Sequence, residues 1–311
     1  MISTDKFEKR EFKNGVVYLG DAHDVLEELE RIMFEENQRV RAARKKAKEE
    51  NKKAKEENKK AEEEEREERQ ELIKIEDNPE YKFKHVANIC VTSPPYNLCK
   101  RYTDYTSTDI GKKMTKKYEE EWYPDELSEW LYQGQQQAII HSLLRTCDSS
   151  IWYNHRVRFG HHNRNIYRTE SGLHHPMHWL HKFVIWDEII WDRGRPGKPS
   201  RRCFQQDERV YQIGKPKKWH NENSLTNIWR INPSKNIDHP CTFPEQLVEN
   251  CISLTTDPED IVIDPYLGSG TTAVVAIKHG RKFIGIERDR EYFELACKNI
   301  EAAEEQNDGQ K

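Results

Sequence analysis

The sequence has no apolar run approaching the roughly 18 residues that a membrane-crossing helix needs, and no charged-then-apolar start of the kind that directs export. A soluble, cytoplasmic chain is expected. Its seven cysteines (Cys90, Cys99, Cys147, Cys203, Cys241, Cys251 and Cys297) are scattered and odd in number, and none forms a CxxC pair. That pattern argues for a reducing compartment and against a cysteine-based zinc site. Hydrophobic residues are scarce at 35%, and much of the deficit lies in one charged stretch. An overall excess of positive charge is also missing, since the formal net charge is −4.

That average hides a basic block. Between Ile151 and His220 there are 14 Lys and Arg against 6 Asp and Glu, a net of +8, together with five tryptophans and eight of the thirteen histidines. A basic, aromatic-rich segment inside an acidic chain suggests a local surface for a polyanion. A second charged stretch, Lys45–Arg69, is a low-complexity run reading KKAKEEN, KKAKEEN, KKAEEEE. Opposite charges four residues apart favour a helix there, but one alanine per seven residues promises little burial. A straight helix over Asp24–Ile73 would be about 75 Å long, and the chain from there to Ile89 spans at most about 50 Å. Residues 40–75 are therefore expected as a charged helical insert, a protruding arm that bends back, breaks or frays.

Outside the insert, strands alternate with helices. Val16–Leu19, Ile89–Thr92, Ser149–Asn154, Phe183–Ile190, Arg209–Ile213, Ile261–Ile263 and Lys282–Ile286 read as strands. Glu126–Leu144, Pro244–Leu254, Thr271–His279 and Arg290–Ala302 read as helices, with a short one starting at Pro176. The alternation predicts an α/β fold, a mostly parallel sheet with helices on both faces, and Arg193–Arg202 as an exposed loop.

Two segments carry chemistry. In "IVIDPYLGSGTTAVVAIKHGRKFIGIERD", Gly268, Gly270 and Ala273 follow the G-x-G-x-x-A spacing between a strand and a helix. Such a turn lets the backbone approach a ligand, and the free N–H groups around Thr271 suit an anion. Glu287 ends the next strand, where a carboxylate can accept both hydroxyls of a ribose. A nucleoside cofactor is indicated; whether it is a dinucleotide or S-adenosylmethionine is left open by these residues alone. The second segment is "VTSPPYN" (91–97), where a short apolar run ends in two prolines that stiffen the backbone.

"TSPPY", "DPYLGSGTT" and "GIE" in this order resemble the amino-methyltransferases of DNA, which use S-adenosylmethionine. With the catalytic motif ahead of the cofactor motif, the circularly permuted order is that of the β class. The resemblance covers nearly the whole chain apart from the insert. It implies a single Rossmann-like methyltransferase domain over 1–311, with a DNA-recognition region at 191–238 and a cofactor half at 239–311. "YLGDAHDVLEEL" (18–29) is similar to the segment that reaches the cofactor's adenine, through Asp21. "HPCTFPEQLVENCI" (239–252) is similar to the segment over the methionine end, through Phe243. Asp264, Pro265, Tyr266, Gly268, Ser269, Gly270, Thr271, Thr272 and Glu287 complete the implied cofactor set.

Ser93, Pro94, Pro95 and Tyr96 are the implied catalytic residues. An exocyclic amine is a poor nucleophile because its lone pair is conjugated with the ring. The Ser93 hydroxyl and the Pro94 carbonyl would take its two hydrogens, on a loop that proline keeps in position. Tyr96 would stack on a base flipped from the duplex. Serine at the first position is the variant associated mainly with cytosine N4, so that amine is expected, with adenine N6 as the alternative. A catalytically inactive DNA-binding or scaffold relative is the alternative of a different class. The resemblance also implies duplex DNA as partner, a restriction-modification or phage/host-protection setting with a cognate restriction endonuclease, and allows a homodimer. Arg193, Arg195, Lys198, Arg201 and Arg202 are expected on phosphates or guanine edges. Lys215, Lys217, Lys218 and Trp219 form a second basic patch near the expected target-recognition region, with Lys217 and Lys218 as further expected DNA contacts. His174, His175, His178 and His181 have helical spacings but no evident carboxylate or cysteine partner, so no metal is expected.

Overall fold

The computed structural model describes residues 1–63, 74, 78, 80, 82–96, 127–159, 173–194, 203, 205–222, 224–233 and 244–309. Among them the elements run β1 (Glu8–Glu11), β2 (Gly15–Leu19), α1 (Ala22–Glu63), β3 (Ile89–Thr92), α2 (Glu129–Thr146), β4 (Ile151–His155), β5 (Arg158–Phe159), β6 (Leu173–His174) and α3 (Met177–Leu180). They continue with β7 (Ile185–Asp192), β8 (Asp207–Ile213), β9 (Ile228–Arg230), α4 (Glu245–Thr255), β10 (Ile261–Asp264), α5 (Thr271–Lys278), β11 (Lys282–Glu287) and α6 (Arg290–Asp308).

Period-two alternation builds two cores around one sheet. Val16, Tyr18, Cys90, Ile151, Tyr153, Ile263, Ile284 and Ile286 face α1, α2 and α3. Val17, Ile89, Val91, Trp152, Val262 and Phe283 face α4, α5 and α6. Burying each of the larger aliphatic side chains contributes about 1.5–3 kcal/mol before conformational entropy is counted. The strand order is β1-β2-β11-β10-β3-β4-β8-β7-β9. The five strands from β2 to β4 are mutually parallel, as the alternating pattern predicts.

Both flanks depart from parallel. β1 pairs antiparallel with β2, and its sequence, EKRE, has no apolar residue for periodicity to detect. At the other end β8 runs antiparallel to β4 and to β7. β8 therefore starts at the rim where the parallel strands end. Phe183 falls outside β7 because its N–H closes the turn after α3 on the Leu180 carbonyl, so the strand begins at Ile185 rather than at Phe183.

The charged insert differs from a fully solvated arm. α1 is continuous from the core outward: Val25, Leu26 and Leu29 are fully buried, and Val40, Ala47 and Ala54 are also buried at intervals of seven residues. Seven residues make nearly two turns, so these three lie on one stripe. The returning chain lies along the helix: Asn37 Nδ2 donates to the Lys84 carbonyl at 2.9 Å, and the Lys84 N–H donates to Asn37 Oδ1 at 2.7 Å. Arg41 and Arg44 sit over the Phe83 ring. The expected end of the arm, 64–73, lies outside the described residues.

Candidate functional site

The carboxyl ends of β3 and β10 are neighbours in the sheet, and a switch in strand order at such a point opens a crevice for ligands. One buried carboxylate ties the two ends together. Asp264 Oδ1 accepts from the Thr92 hydroxyl at 2.8 Å and from the Tyr266 N–H at 3.0 Å, while Oδ2 accepts from the Thr272 hydroxyl at 2.7 Å. Thr92 ends the strand that leads into Ser93, and Thr272 lies in the first turn of α5. Burial pushes the Asp264 carboxyl up to about 6 against the opposing pull of these donors.

The glycine turn between β10 and α5 is built for left-handed backbone. Gly268 and Gly270 have φ of 56° and 91°, and a Cβ on Gly270 would stand 3.2 Å from the Ala296 Cα. Only glycine fits there without strain. Ser269 is buried, and its carbonyl accepts from Asn299 Nδ2 at 2.9 Å. Pro265 is buried while Tyr266 and Thr271 are half-buried beside it. Glu287, at the end of β11, accepts the Gly268 N–H on Oε2 and the Asp289 N–H on Oε1, both at 2.8 Å. Burial pushes its carboxyl up to about 7. Each oxygen keeps a second acceptor direction for a ligand hydroxyl.

Asp21 joins the same rim, because the Gly20 N–H donates to the Glu287 carbonyl at 2.9 Å and Arg288 lies 3.7 Å from the Asp21 carboxylate. Phe243 lies outside the described residues.

The proline loop is held from three sides. Pro94 is buried, and Ser93, Pro95 and Tyr96 are half-buried. The Tyr132 hydroxyl, from α2, stands 2.9 Å from the Pro95 carbonyl oxygen and 2.7 Å from His155 Nε2. His155 Nδ1 lies 2.8 Å from the Arg156 carbonyl, which can only accept, so the proton of the neutral ring belongs on Nδ1. Burial pushes His155 well below the usual histidine range. The single Tyr132 proton is thus shared between Pro95 and His155. Behind them Arg158 forms a two-pronged ion pair with Glu129 and lies 4.8 Å from the Tyr132 ring.

The third side is polar. Tyr96 Oη lies 2.9 Å from Ser93 Oγ and donates to Glu208 Oε2 at 3.0 Å. Asn154 Nδ2 reaches Glu208 Oε2 at 3.1 Å and Ser93 Oγ at 3.4 Å, and also contacts Tyr96 Oη. Arg193 closes the group on Glu208 Oε1 at 3.0 Å. The Tyr96 ring packs at 4.7 Å on His155, so one neighbour of that ring is a protein side chain. Tyr132, Asn154, His155 and Glu208 were not among the residues singled out by motif. Their signal in the sequence is faint: polar Asn154 and His155 end the apolar run IWYNH, and Glu208 shares a strand face with Val210 and Gln212.

The basic residues divide between two rims. Arg193 ends at the site rim, where its N–H also donates to the Gln206 carbonyl at 3.0 Å, so the β7–β8 connection leaves from beside Ser93. Arg195, Lys198, Arg201 and Arg202 lie outside the described residues. Lys217 and Lys218 stand at the opposite rim, because antiparallel β8 returns the chain from Glu208 to Ile213, opposite Ile151 at the start of β4. There Lys217 pairs with Asp148 and Lys218 with Asp257 and Asp260, while Lys215 lies over the Trp186 ring. Strand direction thus sets Lys217 and Lys218 on the rim away from the Ser93 loop. His174 lies 3.7 Å from Glu129, and His181 accompanies the Met177 carbonyl at 3.1 Å.

A sequence model for a family described as DNA methylase matches residues 87–298. The Streptococcus pneumoniae Type II methyltransferase M2.DpnII is 33% identical over 145 residues, which are 40% of this chain and 54% of that protein. The DNA adenine methyltransferase YhdJ of Escherichia coli (strain K12) is 36% identical over 98 residues, 30% of this chain and 33% of that protein. The chain spans about half or less of the length of these curated relatives. Among solved structures, the PvuII DNA methyltransferase (cytosine-N4-specific) is similar with a TM-score of 0.57 at 16% identity, over 97% of this chain and 96% of that one. At that identity the likeness concerns the fold.

Proposed function

We propose that this chain, which belongs to the DNA methylase family, transfers a methyl group from S-adenosylmethionine to the exocyclic amine of a base flipped from duplex DNA. The observation that carries the proposal is the Asp264 carboxylate, which joins the Ser93 loop to the glycine turn through Thr92 and Thr272. A cofactor site alone, or a proline turn alone, would not need that junction.

The residues at the rim suit the cofactor. Glu287 offers two acceptor directions to a ribose, Asp21 stands on the same rim, and the Gly268–Gly270 turn lets backbone approach a ligand. When bound, S-adenosylmethionine supplies an electrophilic methyl group. Ser93 Oγ accepts one hydrogen of the target amine and the Pro94 carbonyl accepts the other, which draws the nitrogen out of conjugation. No strong base is needed, because an amine that has gained a methyl group and a positive charge sheds its proton readily.

Serine at position 93 favours cytosine N4, in a site-specific, restriction-modification setting. The second reading, adenine N6, is favoured by the likeness to the E. coli adenine methyltransferase. DNA contact is assigned to the β7–β8 connection, with Arg193, Arg195, Lys198, Arg201 and Arg202. Lys217 and Lys218 are left out of that surface. The test is transfer of labelled methyl groups from S-adenosylmethionine to unmethylated plasmid DNA. Incorporation that requires Ser93 is expected, and binding of DNA without any transfer would favour an inactive scaffold.

A further inference from the structure

The hydrogen bonds behind Ser93 have a direction, and that direction comes from a residue remote in sequence. Glu208 lies in β8, is buried at 6% exposure, and has one oxygen against Arg193. A carboxylate paired with a guanidinium can only accept hydrogen bonds. The Tyr96 hydroxyl has one proton, and it points to Glu208 Oε2 at 3.0 Å. The 2.9 Å contact between Tyr96 and Ser93 then has one possible sense: Ser93 donates and the phenolic oxygen accepts. Asn154 Nδ2 fills the remaining acceptor position of that oxygen. Asn154 Nδ2 also reaches Ser93 Oγ at 3.4 Å, so Ser93 is left with its proton committed and one further acceptor direction for an incoming amine.

We propose that Glu208 is a positioning residue that polarises the Ser93–Tyr96 pair, so that Ser93 can only accept a hydrogen bond from the target amine. The inference rests on the methyl-transfer reading above. It gives the Tyr96 hydroxyl a role separate from its ring, and gives Arg193 a role beyond contact with DNA. The charge on Glu208 matters more than its shape. In Glu208→Gln, Arg193 attracts the one remaining oxygen and turns the amide NH2 toward Tyr96. That NH2 donates to the phenolic oxygen, Tyr96 donates to Ser93, and the displaced Ser93 proton turns to the direction in which the amine would have met an acceptor.

The experiment compares wild type, Glu208→Gln, Tyr96→Phe and the double variant, using unmethylated plasmid DNA and labelled S-adenosylmethionine. kcat, both KM values, cofactor affinity by calorimetry and thermal midpoints are measured for each. Each single variant is expected to lower kcat about 10- to 100-fold, with KM values and cofactor affinity within about twofold of wild type. The double variant should lose no more than the worse single one, since both break the same chain. Tyr96→Phe keeps the ring and its packing on His155 and leaves the Glu208–Arg193 ion pair in place, so it tests the link even if Glu208→Gln destabilises the fold. Wild-type kcat in Tyr96→Phe, or losses that multiply in the double variant, would overturn the inference. A wild-type protein that transfers no methyl groups would instead count against the underlying reading.

Discussion

The two halves of the crevice are assembled in different ways. The proposed cofactor half, from Ile261 to Glu287, is contiguous: strand, glycine turn, helix, strand and acid, with Gly268 and Glu287 joined by one hydrogen bond. The proposed catalytic half draws Ser93 and Tyr96 from one loop, Tyr132 from α2, Asn154 and His155 from β4, and Arg193 and Glu208 from an antiparallel hairpin. A binding site can be written into one local turn, whereas a hydroxyl held in one direction needs partners brought in by tertiary structure. Asp264 is the joint between the two.

The sharpest way to break the comparison is at the joint. Asp264→Ala leaves the Thr92 and Thr272 hydroxyls and the Tyr266 N–H without their acceptor in a buried place, at a cost of about 3 kcal/mol. Denaturant unfolding should register that loss, and both cofactor binding and methyl transfer should weaken together. A variant as stable as wild type, with only one of the two functions affected, would mean that the halves are independent.

A change confined to the cofactor half should separate them. The Glu287 carboxyl is pushed up to about 7 by burial, and only its charged form offers full acceptor strength to ribose hydroxyls. Cofactor affinity should therefore be highest above pH 7 and fall as the pH drops through 7 toward 6. Glu287→Gln should weaken binding by about 10- to 100-fold, as expected for a lost charge-assisted hydrogen bond, and remove that pH dependence. Calorimetry across the pH range measures both. DNA affinity should not change.

The smallest expected difference contrasts the two rims. Arg201→Glu with Arg202→Glu should weaken DNA binding and flatten its salt dependence, because the connection that carries them leaves from the site rim. Lys217→Glu with Lys218→Glu should leave both quantities unchanged, with any loss of stability coming mainly from Lys218, whose pair with Asp260 is half-buried, rather than from the exposed Lys217. Fluorescence anisotropy with labelled duplex at several salt concentrations makes the comparison.

The same contrast explains what could be read from the residues. The parallel strands were legible because Ile89–Thr92, Ile261–Asp264 and Lys282–Glu287 are short apolar runs bounded by turns, and the glycine spacing marked the turn itself. β1 was not, because a charged edge strand is held by backbone pairing to β2 rather than by its side chains. The rim on which Lys217 and Lys218 stand was not legible, for a topological reason: proximity in sequence to a basic loop says nothing about which rim an antiparallel strand returns to. Glu208 was hidden in the same way, since its importance depends on that reversal bringing it to Tyr96. Ala47 and Ala54 show the limit of composition, because two alanines in a charged helix can be buried when they recur at the helical repeat.

Amine methylation of DNA through Ser93 leaves a modified base that nucleoside mass spectrometry detects in DNA from cells expressing the protein. N4-methylcytosine is expected with wild type and should be absent with Ser93→Ala. DNA that gains no methylated amine would contradict the claim, and N6-methyladenine without N4-methylcytosine would contradict the choice of base.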